Sequence, residues 1–78
     1  MISSWLTKIN LKGCEEKAQK IAGDIKAKDP TFNFWIKEGY LFIESKDKDT
    51  AHKRGLLFTK KYLKECGDLG YESWEWRR

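Results

Sequence analysis

Few side chains in this sequence could do covalent or acid–base chemistry. His52 is the sole histidine. It stands near a predicted helix start without a paired carboxylate or cysteine, which reads as a surface residue and not as a general base. The two cysteines, Cys14 and Cys66, are far apart and form no Cys-x-x-Cys pair. Each falls on an apolar helical stripe, where a packed thiol is inert. We therefore expect two reduced thiols, with a disulfide between them as the alternative. One histidine and two cysteines fall short of a tetrahedral zinc site. No G-x-x-x-x-G-K-S/T loop, G-x-S-x-G elbow or H-E-x-x-H pair is present. The expectation is a protein that is not an enzyme and uses no cofactor and no metal.

Two non-covalent chemistries remain. The stretch KEGYLFIES, from Lys37 to Ser45, sets Tyr40 and Phe42 two positions apart, just after Gly39. Flat rings so spaced can pack a core, dock an apolar partner or stack on bases. The second feature is charge. From Thr50 to Lys64 the chain has five basic residues and no acid: Lys53, Arg54, Lys60, Lys61 and Lys64, with Leu57 among them. Such a run is either a solvated helix face or a stripe that binds phosphate or acid by releasing counterions.

Which reading holds depends on the elements that carry these residues. From Ser4 to Leu11, Trp5, Ile9 and Leu11 share one parity and Lys8 and Asn10 the other, the pattern of a strand that Leu6 interrupts. GCEEKAQKIAGDIKAKD places Cys14, Ala18, Ile21, Ala22 and Ile25 on one helical stripe. Glu15 and Glu16 lie in its first turn, Lys26 and Lys28 in its last, and Gly23 marks a close approach to a sheet. Thr31 to Lys37 and Tyr40 to Ser45 are strand-like, and Glu38-Gly39 supplies a two-residue turn. DTAHKRGLLFTKKYLKECG is a second helix with Ala51, Gly55, Phe58, Tyr62 and Cys66 inward and Thr59 and Leu63 at the margin. Asp49 or Thr50 would cap its start and Gly67 its end. YESWEWRR, from 71 to 78, alternates as a last strand. The order strand, helix, strand, strand, helix, strand predicts a single α+β domain over residues 1–78. That domain is a ferredoxin-like two-layer sandwich, a four-stranded antiparallel sheet with both helices on one face.

The turn fixes a register in which Ile36 faces Leu41, Trp35 faces Phe42 and Phe34 faces Ile43. Phe32, Phe34, Ile36, Leu41 and Ile43 then meet the helices. Trp35, Lys37, Tyr40, Phe42, Asn33 and Glu44 lie on the open side, with Lys8 and Asn10 from the first strand. EGYLFIES resembles the main ribonucleoprotein motif of RNA-recognition-motif domains, K/R-G-F/Y-G/A-F-V-x-F/Y, at Gly39, Tyr40, Phe42 and Ile43. The resemblance implies the same order of elements and two outward rings that stack on unpaired bases. Glu38, Leu41 and Ser45 depart from the motif. The companion motif on the first strand matches in LTKINL only at Asn10 and Leu11, with Thr7 at the stacking position. That alignment would also turn the first strand the other way.

A chain of 78 residues buries only about 60% of its unfolded surface. With 40% hydrophobic residues it is still too apolar for a disordered segment. A net charge of +4 suits ordinary solubility as well as nucleic acid. MISSWLTKINLKG has no apolar run long enough for a signal peptide or a span, so a cytoplasmic protein without a membrane partner is expected. Two functions follow. One is a small protein-interaction module, an inhibitor, adaptor or accessory subunit of the kind a phage or mobile element encodes. It would bind a protein partner or a second copy through Trp35, Tyr40 and Phe42. The other is a single-stranded nucleic-acid binder, RNA or DNA, with the same rings stacking and Lys8 and Lys37 meeting phosphates. The basic face of Lys53, Arg54, Lys60, Lys61 and Lys64 is secondary in both.

Overall fold

The structure is a computed structural model and describes residues 3–77. Its elements are β1 (Ser3–Asn10), α1 (Glu15–Lys28), β2 (Asn33–Lys37), β3 (Tyr40–Ser45), α2 (Lys48–Leu57) and β4 (Tyr71–Arg77). A π-helical turn (Phe58–Tyr62) and a 3-10 turn (Lys64–Cys66) follow α2. The strands form one antiparallel sheet in the order β2-β3-β1-β4. This is the ferredoxin-like α+β sandwich. Of the last stretch, Arg78 lies outside the described residues.

The hairpin is built as the sequence implies. Glu38 and Gly39 both take positive φ, 52° and 82°, the pairing a two-residue turn needs to match strand twist. Trp35 pairs with Phe42, Ile36 with Leu41 and Phe34 with Ile43. On the covered face Ile9, Leu11, Leu41 and Ile43 are fully buried, against Ala18 and Ala22 of α1 and against Phe58 and Leu63. The rings of Phe32 and Phe58 lie parallel, 6.3 Å apart. Phe34 and Ile36 are half-buried at the edge of this core.

The second helical segment departs from expectation in three ways. Its cap is Asp47, whose carboxylate accepts the Thr50 N–H at 2.8 Å; Asp49 instead lies in the first turn, where a negative charge favours the dipole. The helix does not run on to Cys66. The Leu63 N–H bonds the Phe58 carbonyl at 2.9 Å, five residues back, so one extra residue enters the turn. That insertion rotates Thr59 and Leu63 from the margin into the core, while Tyr62 and Cys66 become half-buried. The close approach to the sheet is also elsewhere. A Cβ at Gly23 would meet nothing within 4 Å, whereas one at Gly55 would lie 2.5 Å from the Tyr71 ring.

The expectation of two reduced thiols is corrected. Cys14 and Cys66 are joined, with Cα atoms 6.3 Å apart. The π turn brings the end of this segment over the start of α1, and Lys17 and Glu65 form an ion pair in the same region.

Candidate interaction face

The sheet register decides which side chains share the open face. Lys8 lies opposite Phe42 and Asn10 opposite Tyr40 on β3, and Lys37 and Trp35 of β2 oppose the same two residues. All six candidate residues therefore lie on one surface. Tyr40, Phe42, Trp35 and Lys8 are half-buried, while Lys37 and Asn10 are exposed.

Two tryptophans join them that the sequence alone does not place. On β4, Trp74 pairs with Leu6 and Trp76 with Ser4. Those partners carry the open-face parity, since Leu6 also pairs with Glu44. The available signal was the alternation of Glu72, Trp74 and Trp76 against Tyr71, Ser73 and Glu75, read through antiparallel pairing with β1. Leu6, which spoiled the β1 alternation, is only 5% exposed although no helix covers it.

What closes this face is a layer of rings. Trp35 and Phe42 stack at 5.5 Å with planes 12° apart. Trp35 also meets Trp76 at 5.7 Å. These two tryptophans sit on opposite edge strands, three spacings of about 4.8 Å apart, so their indoles lean inward across β3 and β1. Tyr40 lies beside Phe42 at 6.4 Å, and the Lys8 ammonium sits 4.2 Å above the Tyr40 ring, a cation–π contact. Glu44 is held by the Ser4 hydroxyl at 2.6 Å and the Asn33 amide at 2.7 Å. An open cleft of about 360 Å³, lined by Lys8, Asn10, Lys12, Tyr40, Gly70, Tyr71 and Glu72, flanks the layer at the Tyr40 end. The charges on the face balance, Lys8 and Lys37 against Glu44 and Glu72.

Thr7 points the other way. It is fully buried under α2, and its hydroxyl donates to the Ala51 carbonyl at 3.0 Å. The companion-motif position of the RNA-binding resemblance therefore faces the helices. His52 is exposed and lies 2.5 Å from the Tyr71 hydroxyl through Nδ1. That contact ties α2 to β4.

The basic run divides. Lys53, Lys60, Lys61 and Lys64 are exposed on the outer side of the second helical segment. Arg54 is not on that stripe. Its guanidinium donates to the Ser45 hydroxyl at 3.0 Å and lies 5.0 Å from the Phe32 ring. Burial there lowers its pKa, while Asp29 and Asp47 act in the opposite sense. The expected outward position assumed that every cation of the run faced solvent, whereas Arg54 sits at the helix edge, close enough to the end of β3 to reach back. Lys60 reaches Asp68 at 3.5 Å.

No family model matches the chain, and no curated protein is similar enough to count as a relative.

Proposed function

We propose that this chain is a small non-enzymatic interaction module, an inhibitor, adaptor or accessory subunit, that seats a partner protein on its open sheet face. The observation that supports it is the ring layer from Phe42 through Trp35 to Trp76, half-buried and joining the two edge strands. Its rings hold one another in place, so binding would cost little side-chain entropy. Large aromatics are the residues that anchor protein interfaces.

Base stacking is the weaker reading. Trp35 and Phe42 already offer their faces to each other, and Lys8 covers Tyr40. Thr7 is turned inward, and cations show no excess on the face, where a nucleic-acid groove carries one. The Cys14–Cys66 bond suits an oxidising compartment better than the reducing cytosol. The proposed place of work moves accordingly, away from the cytoplasm expected from the sequence.

The test has two arms. A labelled single-stranded oligonucleotide of mixed sequence is titrated by anisotropy at physiological salt. In parallel, a photo-crosslinking residue at position 42 is activated in an extract of the source cells. The expected result is no oligonucleotide binding and a discrete protein adduct that excess wild-type chain competes away and a Trp35→Ala chain does not. Oligonucleotide binding at physiological salt that Phe42→Ala weakens, at about 1–3 kcal/mol per stacked base, would transfer the face to nucleic acid.

A further inference from the structure

The outer side of the second helical segment presents an exposed surface, on which Lys60 reaches Asp68 at 3.5 Å. Lys53, Leu56, Leu57, Lys60, Lys61 and Lys64 are all exposed, and the first five share one side of the segment, where they line a common hollow. Leu56 and Leu57, 39% and 40% exposed, are the only large hydrophobic side chains so open among the described residues. They are neighbours, and a shallow hollow of about 400 Å³ lies between them and the stems of Lys53, Lys60 and Lys61. Lysine stems add apolar area while their ammonium groups stay at the rim. The run from Thr50 to Lys64 contains no acid, and its arginine, Arg54, is turned inward onto Ser45.

We propose that this stripe is a peripheral docking surface for an anionic lipid bilayer. Charge complementarity selects the partner, and composition narrows it. Protein interfaces favour aromatics and arginine and are depleted of lysine, the reverse of what stands here. Nucleic-acid phosphates would engage the lysines and leave Leu56 and Leu57 without a role. A helix lying in the headgroup plane uses both, its leucines below the headgroups and its lysines among them. No helix among the described residues is long and apolar enough to cross a membrane. A surface-lying face needs no such run, and the lack of one was the ground for expecting no membrane partner. In this pose the helix layer meets the lipid and the aromatic face points away, so the two surfaces act independently and this inference does not rest on the proposed protein partner.

The test is co-sedimentation of the full chain with vesicles of phosphatidylcholine, with and without phosphatidylglycerol. Binding is expected only with the anionic lipid. Lys53→Gln and Lys61→Gln should each weaken it by about fivefold, and the pair Leu56→Ser/Leu57→Ser by about tenfold or more. Because every altered residue is exposed, these variants should keep the wild-type circular dichroism. Three results would overturn the proposal. One is no sedimentation with anionic vesicles. Another is sedimentation that the leucine pair does not affect, which is plain adsorption of a basic protein. The third is tighter binding to a polyglutamate peptide than to the vesicles, which would assign the stripe to an acidic protein.

Discussion

Ile9 and Leu6 lie on the same strand, on opposite faces of the sheet, and both are buried, at 0% and 5% exposure. Ile9 is covered by a second layer of chain, with Ala18, Ala22, Phe58 and Leu63 brought over it by helical segments. Leu6 has no such layer. On its side of the sheet the indoles of the two edge strands meet each other instead, Trp35 and Trp76 lying 5.7 Å apart. The covered face thus gains its burial from topology, while the open face gains it from side-chain size. A layer of the second kind remains half-exposed on its outer surface. That leaves the open face able both to stabilise the fold and to bind, and any loss of binding on mutating it has to be separated from a loss of stability.

The sharpest contrast comes from removing one large side chain from the covered side. Phe58→Ala should cost about 3–5 kcal/mol in urea unfolding, since Phe58 is 1% exposed and stacked on Phe32. In a chain of this size that is a large share of total stability. Opening the Cys14–Cys66 link, by Cys14→Ser/Cys66→Ser, should cost about 4 kcal/mol, because the bond spans 52 residues of sequence. It should loosen the helical layer and leave the open face unchanged. On the open side Leu6→Ala should cost about 2–4 kcal/mol if the rings pack as a core does. A cost under about 1 kcal/mol would break the comparison, showing the ring layer to be loosely held. A double-mutant cycle on Trp35→Ala and Trp76→Ala should give a coupling of about 0.5–1.5 kcal/mol, where independent rings would give none.

The smallest effect is with pH. The Thr31 hydroxyl and N–H lower the pKa of Asp29, the Thr50 N–H that of Asp47, and the Lys17 ammonium that of Glu65. Each depressed carboxylate contributes stability that is present above its ordinary pKa, 3.8 for the aspartates and 4.5 for the glutamate, and lost as pH falls through the folded value. Thermal unfolding should therefore be insensitive to these groups near neutrality and drop to lower temperature below about pH 4. Asp47→Asn should flatten part of that decline, because an asparagine cap does not titrate.

The hairpin and the topology were legible because Glu38-Gly39 fixes one register, and a period of two then assigns every side chain of β2 and β3 to a face. The second helix was less so. A sequence stripe assumes a constant 3.6 residues per turn, and the Phe58–Tyr62 π turn adds a residue that no local pattern announces. Thr59, Leu63 and the cysteine pair all moved with it. Leu6 was misleading for another reason. An apolar residue of the wrong parity looks like an error until the tryptophans that share its face are placed, and Trp76 and Trp35 are 41 positions apart in the sequence. The six candidate residues were brought together as expected, but beside a ring contact from Trp76 that reaches Trp35, with Trp74 on the same face. Arg54 left the basic stripe because its position at the helix edge lets it fold back onto Ser45.

The open face acts as a second core and a seat for a partner only if that ring layer is closed. A two-dimensional NOE spectrum of the folded protein addresses it most directly. Closed rings would give cross-peaks between the Trp35 and Trp76 indoles and Leu6 methyl resonances shifted upfield by ring currents. Leu6 methyls at unstructured-chain shifts, with no Trp35–Trp76 cross-peak, would mean that the tryptophans stand apart in solvent. The open face would then be neither a second core nor a preformed seat for a partner.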